Sequence, residues 1–179
     1  LRRVYHLTDR VRKTARGDSK IKRLHVVGAG VMGGDIAAVA AMSGLNVSLT
    51  DVDSSAIEGA IKRSADLFAR RLKVDEKIAA ATARLKADPR GDDAANADLI
   101  IEAVAEKLSV KRAVFKDLEK IIKPEAILAT NTSAIPLEDI SIALKDPSRL
   151  IGLHFFNPVP VLPLVEVIWS PHSNQDLVT

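Results

Sequence analysis

The sequence predicts an α/β fold, a doubly wound, mostly parallel sheet with helices on both faces, preceded by a basic helix. Three observations predict it. Short apolar runs alternate with longer stretches of helical period along the body, and strands returned by helices pair in parallel through right-handed crossovers. The first apolar run stops at a glycine cluster, Gly28-Ala29-Gly30-Val31-Met32-Gly33, which leads directly into a helical stretch. The length, 179 residues with 47% hydrophobic and 27% charged side chains, suits one globular domain and is too short for two full ones.

Each element follows in order. Leu24–Val27 is a strand. Val31–Ser43 is an Ala-rich helix stopped by Gly44, a natural C-cap. Asn46–Thr50 alternates as a strand and ends at Asp51. From Ser54 to about Ala83 the pattern is helical and polar, with a break near Lys73-Val74-Asp75 that divides it into two helices. Ala97–Val104 reads as a buried strand with Asp98 at its mouth, and Val110–Ile122 as an amphipathic helix ended by Pro124. Ala126–Thr130, Leu150–His154 and Leu164–Ile168 are the remaining strands, with a short helix over Leu137–Leu144. The arm is residues 1–22 and the domain 23–179.

Composition closes several function classes. There is no cysteine, so disulfide scaffolds and thiolate metal sites are excluded, and no metal site is expected. Aromatics at 3% argue against base-stacking nucleic-acid platforms. No apolar run reaches the roughly 18 residues that span a bilayer. The basic N-terminus is unlike a secretion signal, so secretion is not expected, and the absence of cysteine leaves the redox compartment open. Residues 1–23 hold nine Lys/Arg against Asp9 and Asp18, a net +7, so the rest of this +3 chain carries −4. Leu1, Val4, Tyr5, Thr8 and Val11 recur at helical spacing, which favours a helix docking on a neighbouring domain over a nucleic-acid-binding arm.

The glycine cluster follows a strand and opens a helix, the context in which G-x-G-x-x-G marks a Rossmann-type dinucleotide site. Gly28 permits the tight turn, Gly30 leaves room for a pyrophosphate, and Gly33 lets helix and strand approach. Phosphates then meet a helix N-terminus, whose free N–H groups favour negative charge. Asp51 ends the second strand, where a carboxylate accepts from ribose hydroxyls. It repels a 2′-phosphate, and Val52-Asp53-Ser54 supplies no arginine to receive one, so the cofactor expected is NAD rather than NADP. The bland alternative is a glycine-rich turn with an incidental Asp.

A second constellation lies later in the chain. Thr130-Asn131-Thr132-Ser133 follows a strand and so reaches the carboxyl edge of the sheet, where open α/β folds bind ligands. His154 ends another strand, and Glu166 sits within the apolar run Leu164–Ile168, where an unpaired carboxylate is costly. Pairing the two makes His154 a base of suitable proton affinity with its tautomer set by the acid. The alternatives are a core or turn histidine, a glutamate on the solvent face of an edge strand, and Ser133 and Asn131 as caps of the following helix.

The stretch Val26 to Asp51, together with Ile101-Glu102-Ala103-Val104-Ala105-Glu106, Thr130-Asn131-Thr132-Ser133 and Gly152-Leu153-His154-Phe155-Phe156-Asn157-Pro158-Val159, resembles the NAD-binding domain of L-3-hydroxyacyl-CoA dehydrogenases over about residues 22–170. The resemblance implies oxidation of an L-3-hydroxyacyl-CoA to the 3-ketoacyl-CoA in fatty-acid β-oxidation, with acyl-CoA as substrate. It implies that His154 takes the hydroxyl proton, that Glu166 supports it, and that Ser133 and Asn157 meet substrate. Gly28, Gly30, Val31, Met32, Gly33, Asp51, Glu106, Lys111 and Asn131 are then the cofactor residues, and the helix pair at about 54–83, with Lys62 and Arg63, contributes to the CoA site. It further implies a helical C-terminal domain absent from these 179 residues, a preceding enoyl-CoA hydratase domain as in the fatty-acid oxidation complex α-subunit, and a thiolase subunit as partner. A fragment of this kind is expected to bind NAD yet turn over little. A 3-hydroxybutyryl-CoA dehydrogenase of the same superfamily and a non-catalytic NAD-binding or assembly module are the alternatives. Asp35, after Gly34 in the glycine-led helix, is expected to point away from the pyrophosphate.

Overall fold

The computed structural model describes residues 20–177, so the helix expected over the arm lies outside the described residues up to position 19, and residues 20–22 run non-helically into the first strand. That strand, β1 (Arg23–Val27), buries Leu24, His25 and Val26. It lies between β2 (Asn46–Thr50) and β4 (Leu99–Glu102), with Val26 opposite Leu49 on one side and Ile101 on the other. The full order is β3 (Leu85–Ala87), β2, β1, β4, β5 (Ile127–Thr130), β6 (Leu150–Phe155) and β7 (Val165–Ile168), all parallel except the last pair. The chain order thus reverses between β1 and β4, the switch point at which open sheets of this kind part to receive a ligand.

Helices cover both faces, which is why the inner strands are apolar without alternation. On one face lie α1 (Val31–Met42) and α2 (Ser54–Leu72), packing Ile36, Ala37, Ala41, Ile57 and Phe68 against Leu24, Val26 and Leu49. Alanines at the inner positions of α1 bring its axis close to the sheet. On the other face, α4 (Leu108–Leu118) and the one-turn α5 (Leu137–Ser141) pack Phe115, Leu118 and Ile140 on Ile100, Leu128 and Leu150 of β4, β5 (Ile127–Thr130) and β6 (Leu150–Phe155). Asp53 caps α2 by accepting from the Ser55 amide at 2.9 Å. The helix ends at Lys73 in the left-handed region, φ +52°, before α3 (Asp75–Arg84) begins.

Two strands depart from the sequence reading. β3 (Leu85–Ala87) follows α3 without a break and pairs with β2, whereas no strand was expected there. Three residues with only Leu85 buried carry no periodicity of their own, and β2 supplies the template. β7 (Val165–Ile168) runs antiparallel to β6 with Glu166 opposite His154. No helix separates the two, and the connection is too short for a parallel return. Several boundaries also shift: the expected strand over 97–104 shrinks to Leu99–Glu102, and the helix expected over 110–122 covers Leu108–Leu118.

His25 is fully buried in β1, with Nδ1 2.7 Å from the Ser48 hydroxyl and Nε2 without a hydrogen-bond partner among the described residues. Burial pushes the imidazole below its ordinary value of 6.5, and Asp88 and Asp93 pull it partly back. Unfolding frees the ring to take a proton at its ordinary pKa. The stability tied to the neutral ring is therefore complete above about 6.5 and is lost as pH falls below that towards the folded value. Denaturant unfolding between pH 7 and pH 5 should show stability falling by up to about 1.4 kcal/mol per pH unit from this ring. In His25→Gln the slope over the same interval should be flatter, and an unchanged slope would remove His25 as its source.

Candidate active site

At the switch point the three glycines divide their work between packing and vacancy. Gly28 has φ +107°, and a Cβ there would come within 2.6 Å of the Ala103 carbonyl oxygen. A Cβ on Gly33 would lie 1.8 Å from the Gly28 carbonyl oxygen, so α1 can start where it does only without that atom. A Cβ on Gly30, by contrast, would meet nothing within 4 Å. Space is thus open at Gly30, beside the start of α1, which has no side-chain cap and no acid in its first turn. Val31 and Met32 contribute the first N–H groups of that turn, which the helix cannot satisfy internally. Asp51 stands beside the loop, its Oδ2 accepting from Ala29 N at 2.6 Å and its Oδ1 from Asp53 N at 3.0 Å. Open backbone donors next to a carboxylate with spare lone pairs suit a nucleotide diphosphate with its ribose.

The strands beyond β1 end in a chain of ionic contacts. Glu102 closes β4 with no exposure, accepting from Val104 N at 2.8 Å, Thr130 Oγ1 at 2.7 Å and Lys111 Nζ at 2.8 Å. Lys111 comes from α4 and is also buried, its Nζ reaching Glu106 Oε2 at 3.1 Å. Glu106 accepts from the Thr132 hydroxyl and, at 3.1 Å, from Ser133 N. Partial burial opposes ionisation of Glu106, but the hydrogen bonds from Thr132 and Lys111 outweigh it and hold the carboxyl below its usual range.

His154 leaves β6 with Nδ1 2.9 Å from Glu166 Oε2. A carboxylate only accepts, so Nδ1 carries the proton and Nε2 the lone pair. The Phe156 ring leans on the imidazole, centroids 4.7 Å apart. Glu166 occupies an edge strand and its side chain is 57% exposed, so it is not the buried acid that its apolar neighbours imply. Asn131 Oδ1 accepts from Phe155 N at 2.9 Å, which ties the end of β5 to the end of β6. Neither Asn131 nor Ser133 caps α5, whose N-terminus carries no side-chain cap.

These groups line one cleft of about 360 Å³: Met32 from the glycine loop, Glu106 and Lys111, Asn131 and Ser133, then His154 and Asn157. Asp35 is the fifth residue of α1 and lies elsewhere, in a groove of about 430 Å³ with Arg63, Arg70 and Arg71 of α2 and Pro158 and Pro160. Burial raises the Asp35 carboxyl, and Arg63 offsets part of the rise. Arg63 donates weakly to the Ala29 and Gly30 carbonyls, both at 3.4 Å, and Lys62 is exposed. Sequence reasoning did not single out Glu102, although it closes an apolar strand.

Residues 23–179 match the family described as 3-hydroxyacyl-CoA dehydrogenase, NAD binding domain. A probable 3-hydroxybutyryl-CoA dehydrogenase of Bacillus subtilis is 40% identical over 161 residues, covering 88% of this chain and 56% of that protein. A fatty acid oxidation complex subunit alpha of Psychrobacter cryohalolentis is 36% identical over 177 residues, covering 94% of this chain and 25% of that one. The crystal structure of 3-hydroxybutyryl-CoA dehydrogenase from Escherichia coli superposes with a TM-score of 0.86 at 36% identity, over 89% of this chain and 35% of that one. The chain therefore spans about half the length of one such relative and a quarter of another.

The glycine geometry separates two substitutions of the same size. Gly33→Ala should destabilise by about 3 kcal/mol or more, because the obstacle is backbone. Gly30→Ala should leave stability within about 1 kcal/mol of the parent while weakening dinucleotide binding. Thermal unfolding with and without NADH checks both, and equal stability losses would contradict this division.

Proposed function

Because the chain belongs to the 3-hydroxyacyl-CoA dehydrogenase family through its NAD-binding domain, we propose that it serves the NAD-dependent oxidation of an L-3-hydroxyacyl-CoA to the 3-ketoacyl-CoA. The observation that carries the reading is the His154–Glu166 pair at 2.9 Å, its His154 on the wall of a cleft that Met32 of the glycine cluster also lines. NAD, when bound, supplies the acceptor for the hydride that leaves C3. Gly28, Gly30, Val31, Met32 and Gly33 shape the phosphate cradle, and Asp51 accepts from the adenosine ribose and turns away a 2′-phosphate. Glu106, Lys111 and Asn131 serve the nicotinamide end.

The chain's own chemistry is proton transfer and positioning. His154 Nε2 takes the proton of the 3-hydroxyl, and Glu166 fixes the tautomer and stabilises the imidazolium that results. The Ser133 hydroxyl donates to the substrate oxygen, and Asn157, exposed at the cleft, orients the acyl group. Phe155 and Phe156 line the same cleft and keep water from the reacting atoms. The cationic side of α2, with Arg63, Arg70 and Arg71 in the neighbouring groove and Lys62 nearby, suits the phosphates of CoA. The hydroxybutyryl names of the Bacillus and Escherichia relatives favour a short acyl chain as a second reading of the substrate. A helical domain beyond this one would cover the exposed Val165, Val167, Ile168 and Trp169.

The test is His154→Gln in the full-length natural protein that carries this sequence, assayed with acetoacetyl-CoA and NADH. A lost base should cost about a hundredfold or more in rate with NADH affinity and melting temperature unchanged. A preserved rate per folded molecule with lowered stability would make His154 structural and overturn its role as the base.

A further inference from the structure

Glu102 lies outside the cleft lining, yet it is the most completely engaged carboxylate near it. It has no exposure and accepts three hydrogen bonds, from Val104 N, Thr130 Oγ1 and Lys111 Nζ, at 2.7–2.8 Å. Its partner Lys111 is equally unusual. The side chain is 1% exposed and sits on the inward stripe of α4 with Phe115 and Leu118, yet Lys111 is among the residues that line the cleft. A buried ammonium needs a compensating charge. Glu106 alone is a poor one, since its side chain is 41% exposed and already holds Thr132 and Ser133.

The ammonium carries three N–H groups. Glu102 takes one at 2.8 Å and Glu106 a second at 3.1 Å, which leaves one donor without a partner among the described residues, on a side chain that borders the cleft. Glu106 Oε2 stands next to it with lone pairs to spare. A fixed donor and a fixed acceptor about 3 Å apart match a sugar hydroxyl, which both donates and accepts.

We infer that Glu102 is a positioning residue for cofactor binding: through the buried ion pair it holds Lys111 Nζ beside Glu106 Oε2, so that the two present a ready-made site for a ribose hydroxyl on the nicotinamide side. This rests on the reading of the cleft as a dinucleotide site. Glu102 touches no ligand itself. Its loss lets the ammonium swing towards Glu106 and solvent, and the donor–acceptor pair is no longer held in place. The adenosine side, at Asp51 and the glycine loop, is supported by other contacts and is untouched.

The 179-residue chain is titrated with NADH, ADP-ribose and ADP, since ADP-ribose carries the second ribose and ADP does not. Glu102→Gln should weaken ADP-ribose and NADH by about tenfold or more, the scale of a lost charge-assisted hydrogen bond, and ADP by less than about twofold. Lys111→Met and the double variant Glu102→Gln/Lys111→Met should bind ADP-ribose equally, because Glu102 acts only through Lys111. If Glu102→Gln does not fold, Glu102→Asp carries the test, keeping the charge but drawing it back by one methylene, with the same selective loss expected. Equal weakening of ADP and ADP-ribose, or no weakening of either in a destabilised variant, makes Glu102 structural and overturns the inference. A wild-type chain that binds none of the three overturns the cofactor reading itself and this inference with it, whereas selective binding lost only in the variants supports both.

Discussion

The approach of α1 to the turn after β1 governs the rest of the molecule. With no side chain on Gly33, the Gly28 carbonyl lies where a Cβ would be, 1.8 Å from the ideal position. Gly28 in turn packs on the Ala103 carbonyl at the end of β4, and its amide donates to Thr50 O at the end of β2. One turn thus joins the carboxyl ends of three neighbouring strands to the start of a helix. The uncapped end of α1 is thereby directed over the switch point, and β4, β5 and β6 deliver their own terminal residues to the same edge. A shift of that helix by the radius of a methyl group would move the loop away from Asp51, which is bonded to Ala29 within it.

Much of this was legible because the strands of a sheet covered on both faces are short, apolar and bounded by turn residues. β1, β2, β5 and β6 each end in a glycine, an aspartate, a Thr-Asn pair or the His-Phe-Phe run, and each reads as a strand in isolation. β3 and β7 do not behave so simply. Leu85-Lys86-Ala87 is strand only because β2 offers an open edge, and helix α3 runs into it without punctuation. β7 reads as an apolar strand, yet every residue in it is exposed, because apolar content does not reveal whether anything lies on top.

The two glutamates in apolar strands meet their partners for different reasons. A carboxylate among apolar residues demands a partner, and that rule led to Glu166. The structure gives Glu166 its contact with His154, but through cross-strand register on an exposed edge rather than through burial. The residue that obeys the rule is Glu102, buried at the end of Leu99-Ile100-Ile101-Glu102. Its partner was written into the sequence too. Lys111, Phe115, Leu118 and Ile122 recur on one helical stripe, so a lysine occupies a core position and requires an acid nearby. Periodicity could reveal two buried charges of opposite sign; only the fold could show that they meet.

Hollow volume does not distinguish the working edge of the sheet from the other, since a larger space of about 420 Å³ lies at the amino edge, lined by Arg23, Arg84 and Lys86. The state of the polar groups does. At the amino edge Asp98 is saturated, accepting from Lys22 N and Arg23 N at 2.9 Å each and from Lys123 Nζ at 2.6 Å. Partial burial there is outweighed by these donors, which hold its carboxyl at about 2. Its role is closed within the protein, fastening β1 to β4 and to the chain after α4. At the carboxyl edge the corresponding groups stay open among the described residues: the first amides of α1, one N–H of Lys111, the Ser133 hydroxyl and Nε2 of His154. Donors and acceptors presented at fixed positions and not used by the protein are free for a ligand to take over from water. Their concentration around one cleft, with Asp35 turned into a different groove, is what supports the reading proposed for that edge.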